Sequence, residues 1–80
     1  MPAGPAALTP MMWLMTLTIN GEAQTVPEPC TVEGLLAHLG LSAAPCAVEV
    51  NAHLVPRRGH AGRLLSEGDS IEIVTLVGGG

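Results

Sequence analysis

Lysine is absent from this chain of 80 residues, and its cationic side chains, histidine aside, are Arg57, Arg58 and Arg63. Against seven acidic residues that leaves a formal net charge of -4 and a pI near 5.0. So poor a supply of cations argues against a nucleic-acid partner and disfavours an RNA-associated domain, since phosphate binding needs cations clustered. At most the three arginines form a local patch for an acidic partner. No basic stretch followed by a continuous apolar one marks a secretory segment, and no apolar run approaches the roughly 20 residues that cross a bilayer. Cysteine is scarce as well. Cys30 and Cys46 stand too far apart for a redox or zinc pair, and a reducing cytoplasm is the expected compartment.

A catalytic set is missing too. His38, His53 and His60 fall on a predicted helix face, a strand edge and a loop, at no spacing that converges on a metal, and each reads as a solvated surface histidine. Cys46 fits a buried strand position, where cysteine behaves as a small hydrophobe. Cys30, between Pro29 and Thr31, could present an exposed thiol, but nothing in the sequence gives it a use. There is no Ser-His-Asp arrangement, phosphate loop or nucleotide fingerprint.

What the chain does have is apolar material for one small core. It is 48% hydrophobic and 12% charged, a globular composition at a length where a single core is just sufficient. Residues 1–11, interrupted by Pro2, Pro5 and Pro10, read as a loose extension, with Met11, Met12 and Met15 each an alternative start. The folded domain is placed at 12–76 and a glycine-rich tail at 77–80.

From Trp13 the pattern alternates, with Trp13, Met15, Leu17 and Ile19 on one face, as a half-buried strand requires. Asn20-Gly21 then supplies the two positive-φ positions of a type I′ hairpin turn. The returning strand, about 22–26, alternates poorly and stops at Pro27 and Pro29. Thr31 is a helix N-cap with Glu33 in the first turn, and Val32, Leu35, Leu36 and Leu39 form one apolar stripe. Gly40 stands at the left-handed C-cap, so the helix covers about 32–39. Cys46, Val48 and Val50 mark a third strand, Asn51-Ala52 a tight turn, and 53–56 a brief fourth strand. Residues 57–63 read as a loop, after which Leu64 and Leu65 drop back into the core. Glu67-Gly68-Asp69 turns the chain into a last strand, with Ile71 and Ile73 on one face. A hairpin, a helix and further strands bury one apolar stripe on one apolar sheet face, which predicts an α+β fold of β-grasp architecture. The sheet is mixed, of four to five strands, with strand 1 parallel to a neighbour in its middle.

The end of the chain is organised differently. Gly78-Gly79-Gly80 cannot stabilise a fold, because glycine loses the most backbone entropy on ordering and has no side chain to bury. A frayed terminus is the ordinary reading of such a tail. Here, however, the apolar strand pattern runs to Val77 without a polar linker, so the tail projects directly from the domain. Extended, residues 77–80 reach about 13 Å, at roughly 3.3 Å each, through a channel too narrow for side chains. That carries a carboxylate into another protein's active site. The absence of lysine suits a terminus that becomes an activated acyl group, although a short alanine-rich chain can lack lysine by composition alone. Val74 and Leu76, rimmed by Arg57 and Arg58, would make an apolar docking patch beside the tail; a bend after Ile73 that buries Val74 and Leu76 is the open alternative.

Several pieces together resemble the sulfur carrier proteins of thiamine biosynthesis, small ubiquitin-like β-grasp proteins. They are Leu17-Thr18-Ile19-Asn20-Gly21-Glu22, Thr31-Val32-Glu33 leading to Leu35-Leu36, Ala47-Val48-Glu49-Val50-Asn51, Val55-Pro56-Arg57, and Gly68-Asp69 leading to Ile71-Glu72-Ile73-Val74 and the glycines. Ala52, where a turn glycine or polar residue would be comfortable, the proline-rich extension and the third glycine depart from that pattern. The resemblance implies a group carrier, not an enzyme, that binds no cofactor or metal of its own. A ubiquitin-activating-type adenylyltransferase would use ATP and magnesium to adenylate the Gly80 carboxylate. A sulfur donor such as a cysteine desulfurase would convert it to a thiocarboxylate, and thiazole synthase would take the sulfur. Gly78 and Gly79 would thread the partner, with Gly78 as hinge. Delivery to molybdopterin or cysteine synthesis, or a purely non-covalent ubiquitin-like interaction module, are the alternatives.

Overall fold

A computed structural model describes residues 13–76. The expected extension at 1–11 and the tail at 77–80 lie outside the described residues. Five strands, one α-helix and one 3₁₀ helix follow in order: β1 Trp13–Ile19, β2 Glu22–Glu28, α1 Val32–His38, β3 Cys46–Val50, β4 His53–Val55, the 3₁₀ helix Arg57–Gly62, and β5 Ser70–Thr75. They form one mixed sheet in the order β2-β1-β5-β3-β4, in which β1 and β5 are parallel at the centre and the other pairs are antiparallel. The fold is the β-grasp.

Local chemistry accounts for the elements. Asn20 at φ 50 and Gly21 at φ 86 make the β1–β2 turn. Thr31 caps α1, its hydroxyl accepting from the Gly34 amide at 3.0 Å, and Gly40 leaves the helix at φ 78. Val32, Leu35 and Leu36 pack from the helix onto Met15, Leu17, Ile19, Val26, Val48, Val50, Ile71 and Ile73 of the sheet. Each buried strand residue is two from the next, so one face of every strand meets the helix. Cys46 lies half-buried against this core, less enclosed than expected.

Five other expectations give way. Trp13 has the parity of Met15, yet it is 66% exposed, because it pairs with exposed Glu28 one row beyond the core whereas Met15 pairs with buried Val26. The return strand runs on through Pro27 to Glu28; β2 is an edge strand, where a missing amide donor costs no ladder bond. Residues 57–62 are a 3₁₀ helix packed against α1, not a loop. It buries His60, whose Nε2 donates to the Val55 carbonyl at 3.1 Å, so this histidine is not a solvated surface group. Only one of the two leucines returns to the core. The Val32 amide donates to Arg63 O and the Leu65 amide to Cys30 O, both at 2.9 Å, and this short bridge points Leu65 inward and Leu64 to solvent.

Candidate functional site

The end of β5 is set by three fastenings. First, Ile71 and Ile73 are buried against the helix side. Second, Asn20 grips the strand where β1 has already turned away: its Oδ1 accepts from the Ile73 amide at 2.7 Å and its Nδ2 donates to the Ile73 carbonyl at 3.1 Å. The side-chain amide thereby replaces the next rung of the ladder. Third, the Leu76 amide donates to Pro45 O at 2.8 Å, one step beyond the Cys46–Thr75 pair. At the other end of the strand, Asn51 Oδ1 accepts from the Ser70 amide and its Nδ2 donates to Asp69, both at 2.9 Å. The last strand is therefore held from both ends, and the chain is fastened as far as Leu76.

Beyond Ile73 the outward residues are open. Val74 is 58% and Leu76 52% exposed, which decides against a bend that buries them. Both lie on the sheet face away from α1, since Ile71 and Ile73 take the opposite parity. Arg57 and Arg58 follow β4 at the same end of the sheet, because Val55, Val48 and Ile73 stand in one row and Pro56 leads on from it. Yet Arg57 is turned to the helix side, lining a small polar pocket with Glu33, Leu36, Ser42 and His60. The structure thus brings Val74 and Leu76 together on the outer face and sets Arg57 around the corner from them. Gly78, Gly79 and Gly80 lie outside the described residues.

The same face carries a pair of side chains that pattern reading missed. Glu49 on β3 and Glu72 on β5 are direct cross-strand partners, both exposed. Leu54 of β4 pairs with Glu49, and Ala47 pairs with Val74, so the two carboxylates sit beside apolar side chains. Each glutamate alternates with buried neighbours, Glu49 between Val48 and Val50 and Glu72 between Ile71 and Ile73, and so points outward; only the β3–β5 register shows that they meet. Elsewhere, Cys30 lines a groove with Val26, Pro27, Pro29, Gly34 and Leu64, and burial pushes its thiol above the usual cysteine range. Among the described residues no group of three or more His, Cys, Asp or Glu side chains is arranged to hold a metal ion, and no helix is long and apolar enough to cross a membrane.

The model of the ThiS family matches residues 13–80. The chain belongs to the ThiS family. It is 42% identical over 66 residues to a thiazole synthase of Paramagnetospirillum magneticum, covering 82% of this chain and 20% of that protein. Over 66 residues it is 35% identical to the uncharacterized protein ycf40 of Porphyra purpurea, covering 82% of this chain and 93% of the other. This ThiS-family chain therefore spans about a fifth of the thiazole synthase's length and nearly all of ycf40. The crystal structure of a thiamine biosynthesis protein, ThiS, from Geobacter metallireducens is similar at a TM-score of 0.71 and 33% identity, covering 82% of this chain and 100% of that one. The family match runs through the glycine tail as well as the folded domain.

Proposed function

We propose that this protein is a sulfur carrier of thiamine biosynthesis whose Gly80 carboxylate is the point of attachment. The observation that supports it most is the fastening of β5 as far as Leu76, in a chain whose sequence continues from there into Val77-Gly78-Gly79-Gly80, within the stretch that matches the ThiS family. A domain held firmly up to Leu76 and followed in sequence by three glycines is suited to present a carboxylate to other active sites, while the chemistry belongs to the partners.

A carboxylate at neutral pH is a poor electrophile, so it must first be activated. The adenylyltransferase of ubiquitin-activating type directs a Gly80 oxygen onto the α-phosphorus of magnesium-bound ATP, and pyrophosphate leaves. A terminal persulfide sulfur then attacks the acyl carbon and AMP leaves. Attack by a thiol on the resulting acyl disulfide frees the thiocarboxylate and leaves a new disulfide on the donor side. Thiazole synthase is the acceptor, the class to which two curated relatives belong by name. Gly78 and Gly79 lie in the narrow channel of each partner, and Val74 and Leu76 dock the folded body against it. The expected compartment is the cytoplasm, where such persulfides survive.

The test is the intact mass of the chain after incubation with ATP, magnesium, the adenylyltransferase and a persulfide donor, beside a chain lacking Gly80. A gain equal to sulfur replacing one oxygen, located in the C-terminal peptide and absent from the shortened chain, is expected. No gain, with an adenylyltransferase shown to act on another carrier, would point instead to a non-covalent ubiquitin-like module.

A further inference from the structure

Two carboxylates placed directly opposite each other on neighbouring strands repel, and such a pair lowers the stability of a sheet. Glu49 and Glu72 occupy such positions, on the outer face and in the middle of the β5-β3-β4 half of the sheet. Their Cβ atoms are then about 5 Å apart, the separation of direct cross-strand partners, close enough for both carboxylates to reach one cation. The chain has no lysine, and two of its three arginines are directed elsewhere: Arg57 lines the helix-side pocket, and Arg63 lies along β4 with its Nη1 donating to Leu64 O.

What surrounds the pair is apolar. Val74 and Ala47 form the next row toward the tail, and Leu54, 66% exposed, flanks Glu49 on the other strand. Apolar neighbours displace water when a partner covers them, and a charge-assisted hydrogen bond gains strength as water leaves. Two carboxylates supply four oxygens, short of the six to eight that calcium takes, and among the described residues no third His, Cys, Asp or Glu side chain joins them to hold a metal ion. An arginine suits them better, since its planar guanidinium can donate to two carboxylates at once.

We propose that the Glu49–Glu72 pair is the receptor for one arginine side chain of the adenylyltransferase, seated among Val74, Ala47 and Leu54 while the tail enters the active site. This rests on the carrier reading above. The pair acts in recognition: it sets affinity and the choice of partner, because a neutral or acidic group at that point would leave both carboxylates desolvated and unmatched.

The experiment measures binding of the full chain to the purified adenylyltransferase by calorimetry without ATP, and adenylation by pyrophosphate exchange, for Glu49→Gln, Glu72→Gln and the double variant. Urea unfolding checks that each variant is folded, and Glu22→Gln on β2 is the control. Each single change is expected to weaken Kd and raise KM about tenfold, as for a truncated charge-assisted contact, and the double change to flatten the dependence of Kd on salt. The folded state should be as stable as before or more so. Kd and salt dependence within twofold of wild type in the double variant would overturn the proposal. A wild-type chain that is bound but never adenylated would overturn the carrier reading and leave this one to be decided by Kd. One that is neither bound nor adenylated would overturn both.

Discussion

Replacing Asn20 with glycine removes both side-chain bonds to Ile73 while keeping a residue that accepts φ 50. At about 0.5–1.5 kcal/mol net for each partly buried hydrogen bond, the loss is about 1–3 kcal/mol. Relief of left-handed strain and the greater freedom of glycine in the unfolded chain act in opposite directions and largely cancel. A net destabilisation of about 2 kcal/mol lowers the melting temperature of a domain this size by roughly 8–16 °C. Urea unfolding gives the free energy, and hydrogen exchange at the Ile73 amide locates it, because that amide loses its acceptor. A loss under about 0.5 kcal/mol with Ile73 as protected as before would show that Asn20 serves the turn alone, and that β5 needs no clamp beyond β1.

Ala52 holds φ 70 in the β3–β4 turn, so Ala52→Gly should raise stability by about 0.5–1 kcal/mol in urea; a decrease would mean that the turn is not left-handed in solution. Thr31→Ala removes the cap on the Gly34 amide and should cost about 1 kcal/mol, most visibly as faster exchange in the first turn of α1. In a Cys46→Ser background, alkylation of Cys30 should stay slow until the pH passes above the ordinary thiol range, because burial holds its proton. The sign for stability follows. A thiol pKa raised by folding favours the folded state below the unfolded pKa, and that contribution is lost as pH rises through the folded value. Alkylation as fast as that of a free peptide thiol at neutral pH would refute the burial.

The elements legible in the sequence were those with a local chemical cause. Asn20-Gly21, Thr31 three residues before Gly34, and Gly40 each do at their own positions what the local rules require. What was not legible depends on where other elements end. Trp13 and Met15 have the same parity, and only the position of the pair Val26–Met15 against the helix separates the exposed one from the buried one. Pro27 reads as a terminator unless the strand is known to be an edge. His60 reads as polar loop until the 3₁₀ turn carries it beneath Val55. The candidate site divides in the same way: alternation offered Val74 and Leu76 as outward residues but left a burying bend after Ile73 open, and the meeting of Glu49 with Glu72 follows only from a register between strands more than twenty residues apart.

That register ties the docking face to the core. If β5 slipped by one residue, Ile71 and Ile73 would turn to solvent and Glu72 would face the helix, because side-chain direction along a strand has period two. Exposing two buried isoleucines forfeits about 3–6 kcal/mol, and an enclosed carboxylate without a partner adds more. Asn20 and Asn51 oppose the slip from the two ends of the strand through their bonds to Ile73 and Ser70. The outward set Glu72, Val74 and Leu76 is thus fixed by the same energies that bury Ile71 and Ile73, although it contributes little to them. Substitutions on the outward set should therefore change what the protein binds while leaving it folded, and substitutions at Asn20 should disturb both.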